Sequence, residues 1–159
     1  MPVSVFDNLP EPVEVQAAAV PAPPAAIVIE WARAALGNDQ RSICIRIVDE
    51  RESKSLNTQF RDRASPTNVL SFPAQMSGLL GDIAICAPIV KREARSGNKS
   101  FDAHFAHMVV HGILHLKGLD HMDDAQARNM EAREIQILDS LGFANPYLRC
   151  DGTTSRVRR

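Results

Sequence analysis

The chain has 159 residues, a formal net charge of −1 and 45% hydrophobic residues, values that suit one globular domain with a real core. No apolar run approaches the ~20 residues needed to span a bilayer, and a near-zero charge does not announce a nucleic-acid binder. Three cysteines with no CxxC pair (Cys44, Cys86 and Cys150) read as reduced thiols, which points to a cytoplasmic protein.

In chain order, residues 1–11 are expected to be irregular and, lacking positive charge, do not resemble a secretion signal. Val13 to Gln16 reads as a short edge strand. Pro21, Pro23 and Pro24 precede a helix over Ala25 to Leu36, with Gly37 just past its end. Ser42 to Val48 alternates and is rich in β-branched residues, so it is a strand. Asp49 can cap a helix through Phe60, with Leu56 and Phe60 on one face.

Asn68 to Phe72 is a second strand-like run, stopped by Pro73, and Gly78 to Gly81 reads as a turn. Asp82 to Cys86 is a third strand. Pro88 suits the first turn of a helix to Ser96. Phe101 to Lys117 is a long apolar helix, expected at the centre. Asp123 or Asp124 opens a last helix to Leu141, with Met130, Ile135, Leu138 and Leu141 as its apolar face. The Arg-rich end, 150–159, is expected to be irregular. These elements predict one α+β domain over residues 1–159: a small mixed sheet of about four strands packed with about five helices.

The chemistry is concentrated in His111-Gly112-Ile113-Leu114-His115-Leu116-Lys117-Gly118-Leu119-Asp120-His121. His111 and His115 are four residues apart, so on a helix both rings leave one face. Gly118 offers the left-handed backbone that ends a helix and lets the chain bring in His121. Three imidazoles leave one position of a tetrahedral zinc open for water, as in a catalytic rather than a structural site. His104 and His107 share the stripe of His111. A ligand one turn further back would need a different metal position, so packing or support of a ligand is expected of them.

The spacing H-x3-H-x2-G-x2-H is similar to that of the metzincin proteases, whose first histidine is followed by the glutamate that activates water. Here that position is Gly112, which cannot take a proton. Asp120 is one replacement base; the favoured reading makes it a cap, or the carboxylate that orients a ligating histidine. The other route needs no side-chain base, since bound zinc brings water towards a pKa of ~7. A glycine within a helix costs about 1 kcal/mol against alanine, so Gly112 calls for a close approach by another segment or by substrate. The basic residues around Arg41 to Arg63 are interleaved with acids and read as a solvated surface. Arg61 by itself reads as a surface cation paired with Asp62 or Glu52.

With these residues in view, the chain resembles the YbeY family of bacterial rRNA-maturation endoribonucleases. The likeness rests on His111-Gly-x-Leu-His115-Leu-x-Gly118-x-Asp120-His121 and on Leu56-Asn57-x-x-Phe60-Arg61. It extends to Pro66-Thr67-Asn68-Val69-Leu70-Ser71-Phe72-Pro73, Leu80-Gly81-Asp82-Ile83 and Met130…Glu134…Leu138…Leu141-Gly142, spanning roughly Ile43 to Tyr147. The resemblance implies one Zn2+ per chain on His111, His115 and His121, with a zinc-held water as nucleophile. It implies cleavage of single-stranded RNA, maturation of the small-subunit rRNA 3′ end on the small ribosomal subunit, and ribosome quality control. It also marks Arg61 as functional, and a guanidinium suits phosphate oxygens. Thr67, Asn68 and Ser71 could add neutral donors to backbone or sugar. Two other readings stay open: a metal-dependent hydrolase of a peptide or ester, and a non-catalytic ribosome assembly factor.

Overall fold

A computed structural model describes residues 12–120 and 122–148. In chain order the elements are β1 (Val13–Ala17), α1 (Ala25–Leu36), β2 (Ser42–Val48), α2 (Glu50–Arg61), β3 (Val69–Pro73), β4 (Leu79–Cys86), α3 (Ala87–Ser96), α4 (Phe101–Leu116) and α5 (Asp124–Ser140). The four strands form one sheet in the order β1-β2-β4-β3. β1 and β4 run parallel to β2, whereas β3 runs antiparallel to β4 and forms an edge. This is the α+β domain with a small mixed sheet that the sequence predicts.

Alternation along the central strands creates two unequal layers. Ile43, Ile45 and Ile47 of β2 and Ile83 and Ile85 of β4 face the main core, with Val28 and Trp31 of α1 and Phe105, Met108, Val109 and Ile113 of α4. The opposite face is smaller: Val48, Leu70, Ala84 and Cys86, covered in part by Leu56, Phe72 and Ile89. Helix α4 is buried over most of its length because the sheet, α1, α3 and α5 surround it. A helix hydrophobic on nearly all sides is stable only in such a position.

Local signals set most boundaries. The side chains of Asp49, Ser100 and Asp123 accept hydrogen bonds from the backbone N–H groups of Glu52, Ala103 and Gln126 at 2.8, 3.0 and 2.8 Å, capping α2, α4 and α5. Several boundaries shift by a single residue, and two departures from expectation have a physical cause. β4 begins at Leu79, so Gly81 lies inside the strand and not in a turn. There a Cβ would come within 2.4 Å of the Phe72 carbonyl oxygen of the paired strand, a close approach that only glycine permits. β3 includes Pro73 instead of stopping before it, which an edge strand tolerates.

On α5 the inward row is Met130, Glu134 and Leu138, with Ile137 and Leu141 packed against the core. Ile135, expected on that face, is only half-buried and stays outside the core cluster. Among the described residues no helix is long and apolar enough to cross a membrane. Cys44 and Cys86 are free thiols, and burial pushes both above the usual thiol range; Cys150 lies outside the described residues.

Candidate functional site

Helix α4 positions His111 and His115 one turn apart, and both are half-buried in the wall of an open cavity of about 410 Å³. The facing wall is Thr67, Asn68, Val69, Leu70 and Ser71, at the start and edge of β3. Asn57, Arg61 and Arg63 complete it from the end of α2 and the loop that follows. At the C-terminal end of α4 the N–H groups of Gly118 and Leu119 bond to the carbonyls of His115 and Leu114, at 3.1 and 3.0 Å. Gly118 has φ 99°, the left-handed turn read from the sequence. Asp120 follows, half-buried, and His121 lies outside the described residues.

The cavity wall is held by buried polar contacts. On α2, Ser53 Oγ donates to the Thr67 carbonyl (2.8 Å) and accepts from the Thr67 N–H (2.9 Å), while Asn57 donates to the Ser65 carbonyl (2.8 Å). These bonds fasten the 62–68 loop to the helix. Thr67, Asn68 and Ser71 all line the cavity, yet each has structural work: Asn68 donates to Glu93 (3.1 Å) and Ser71 Oγ to the Gly112 carbonyl (3.4 Å).

Arg61 departs from its expected pairing. Glu52 is engaged by Arg46 at 2.5 Å, and Arg61 donates from Nη2 to the Ser71 carbonyl at 2.7 Å, on the open edge of β3. Its guanidinium lies over the Phe72 ring, 5.7 Å from the centroid. A side chain rooted on the far side of the sheet is thereby brought round the edge strand into the cavity that holds His111 and His115.

Behind His111 lies a buried network that sequence reasoning missed. Glu134 and His107 are 1% and 2% exposed and hydrogen-bonded through Oε2 and Nε2. Tyr147 donates to Glu134 Oε1 at 2.8 Å, and His111 Nδ1 lies 3.4 Å from Glu134 Oε2. Burial alone would raise the Glu134 pKa. The hydrogen bonds and charges of His107 and His111 outweigh it and hold the carboxyl well below the usual range. A signal did exist in the sequence: Glu134 is the one acid at i+4 from Met130 and i−4 from Leu138, on an otherwise apolar row. His104 pairs with Glu93 at 3.0 Å.

Gly112 has a clear cause. A Cβ there would lie 2.9 Å from Ile83 Cδ1 and 3.2 Å from its Cγ2, so the glycine lets α4 settle on β4. Position 112 therefore faces the sheet, not the cavity.

A matching family model, described as Endoribonuclease YbeY, covers residues 22–142. The chain belongs to the YbeY endoribonuclease family. It is 53% identical over 122 residues to the endoribonuclease YbeY of Methylococcus capsulatus, covering 74% of this chain and 81% of that protein. Identity to the one from Alteromonas mediterranea is 50% over 125 residues, with 74% and 79% covered. The solution structure of a Thermotoga maritima protein superposes with a TM-score of 0.60 at 28% identity, covering 81% of this chain and 88% of that one. The YbeY segment includes every residue of the cavity wall and Glu134, but stops short of Tyr147.

The donor chemistry fits a metal ion. His107, His111 and Glu134 present ligand atoms within 4.8 Å of one another, and His111 also shares the open cavity with His115. The two sets differ in access. His107 and Glu134 are buried and bonded to each other and to Tyr147, whereas His111 and His115 border open space, where a catalytic metal keeps a position for water or substrate.

Proposed function

We propose that this endoribonuclease of the YbeY family cuts single-stranded ribosomal RNA, maturing the 3′ end of the small-subunit rRNA and serving ribosome quality control. The reading takes residues 1–159 as one hydrolase domain in the cytoplasm, holding one Zn2+ on His111, His115 and His121. The observation that carries it is the meeting of His111, His115 and Arg61, from two elements on opposite sides of the sheet, in one open cavity. A bound zinc ion would supply a water of lowered pKa and a Lewis acid for the phosphoryl oxygens.

The chain's own residues do the rest. Arg61, steadied by the Ser71 carbonyl and the Phe72 ring, offers its remaining N–H groups to the phosphate oxygens of the scissile linkage. Arg63 adds a second positive charge in the same wall. Glu134, a pure acceptor, favours the His111 tautomer with its proton on Nδ1 and leaves Nε2 as the nitrogen a metal in the cavity would meet. Asp120 is assigned to orient His121, its neighbour in sequence. With glycine at position 112, glutamate-assisted peptide hydrolysis lacks its usual base here.

The test is cleavage of a single-stranded RNA by purified protein, with chelation, zinc restoration and the His111→Ala variant as controls. Chelation and His111→Ala should each abolish cutting, and zinc should restore it only to the parent. Arg61→Glu should lose cutting while keeping its zinc. Cleavage by rigorously metal-free protein, or metal-dependent turnover of peptides with RNA untouched, would overturn the reading. Small-subunit association that survives His111→Ala, with no RNA-processing defect, would point instead to an assembly factor.

A further inference from the structure

Phe60 is the only exposed aromatic ring among the described residues, at 55% exposure, and it sits one position before Arg61. An isolated apolar side chain on a surface needs no explanation. Three features set this one apart. Its ring stands edge-on to Phe72, with centroids 5.2 Å apart and planes at 64°. Phe72 is itself packed against the smaller core layer, so the pair is anchored and not a loose flap. The same Phe72 ring carries the Arg61 guanidinium, which faces the cavity with Arg63. Neither ring lines the cavity of His111 and His115, but the aromatic pair adjoins it through Arg61, which lies over Phe72 and lines the cavity with Arg63.

That combination suits one ligand. A cationic groove follows a phosphate chain, and flat aromatic faces receive its bases. The edge contact with Phe72 sets the tilt of the Phe60 ring at no cost to its solvent-facing surface. A base in a duplex is already stacked on its neighbours and has no face to offer, so such a platform favours unpaired nucleotides.

We propose that Phe60 is a base-stacking subsite for an unpaired nucleotide next to the phosphodiester held at Arg61. The proposal rests on the endoribonuclease reading above and supplies a physical source for single-strand preference. It requires no base identity, because every base has a π-face. Selectivity at this subsite is for strandedness and not for sequence.

The experiment uses the full chain with zinc and a single-stranded oligoribonucleotide, its duplex, and the same strand with one abasic position. Phe60→Ala and Phe60→Leu should weaken single-strand binding about tenfold, within the range measured for loss of one stacked base. Phe60→Tyr and Phe60→Trp should retain it, and duplex binding should change little in any of them. Leu keeps apolar contact with Phe72 but cannot stack, so equal losses in Leu and Ala separate stacking from packing. Zinc content should be the same throughout. The native chain has one tryptophan, Trp31, which is 4% exposed, so Phe60→Trp adds an exposed reporter. Its emission should be quenched by the intact strand, and less so when the abasic position falls at the subsite as it is moved along the strand. Parent-like binding by Phe60→Ala, or an unquenched Phe60→Trp that still cuts RNA, overturns the subsite while leaving the endoribonuclease reading intact. A parent that neither binds nor cuts single-stranded RNA overturns both.

Discussion

His111 turns its Nδ1 towards Glu134 Oε2, 3.4 Å away, although 23 residues and a change of direction separate them along the chain. The same oxygen accepts from His107, and Tyr147 secures the other carboxylate oxygen. Three elements thus meet behind one candidate ligand. A carboxylate behind a ligating histidine fixes the ring's tautomer and raises its basicity. Glu134→Gln should therefore weaken zinc binding about 10- to 100-fold in chelator competition. Glu134→Ala leaves His107 and Tyr147 without their buried acceptor and should also cost about 3–5 kcal/mol in denaturant unfolding. Metal affinity unchanged in Glu134→Gln would remove Glu134 from the site.

Acid should destabilise the fold through the same carboxyl group. Its folded pKa lies below the unfolded value, so the unfolded chain takes up the proton first as pH falls. The stabilisation is fully present above the ordinary glutamate pKa of about 4.3 and is lost as pH drops from there towards the folded value. Melting temperatures of the parent and Glu134→Gln should differ most near neutrality and converge in acid. A gap that widens in acid would contradict the assignment.

Zinc retention should also depend on pH, at a higher range. A site of three imidazoles must shed protons to bind metal, so zinc should be released as pH falls below about 6.5, the free histidine value. Equilibrium dialysis followed by metal analysis reads this directly. Full retention well below that value would speak against the all-histidine ligand set.

Gly112 and Gly81 should respond differently to substitution. Gly112→Ala gains about 1 kcal/mol in helix propensity and loses about 1–3 kcal/mol to the contact with Ile83, so its net effect should be small. Gly112→Glu should destabilise by more, because its Cβ would meet Ile83 of β4 and its charge would have to leave a buried position. Gly81→Ala sets a Cβ against backbone, the Phe72 carbonyl oxygen, which cannot rotate away. It should be the more damaging of the two alanine variants by chemical denaturation.

Local rules were enough for much of this protein. The carboxylate and hydroxyl caps at Asp49, Ser100 and Asp123, the alternation of Ser42–Val48 and the turn at Gly118 each depend on neighbours a few residues away. The spacing that sets His111 and His115 on one face of α4 is of the same kind. Two local readings did not hold at their edges. Gly81 looks like a turn until its partner strand is seen, and Ile135 looks inward until α5 is docked.

By itself, then, the sequence determined which segments become helices and strands and which helix presents two imidazoles together, since hydrogen-bonding periodicity and capping act over one or two turns. Only the tertiary structure decided what stands around those imidazoles. It brought Arg61 round the edge of β3, put Glu134 behind His111, and turned position 112 to the sheet. Those outcomes depend on how α2, α4 and α5 pack on the sheet, where burial and close packing act between residues far apart in the chain.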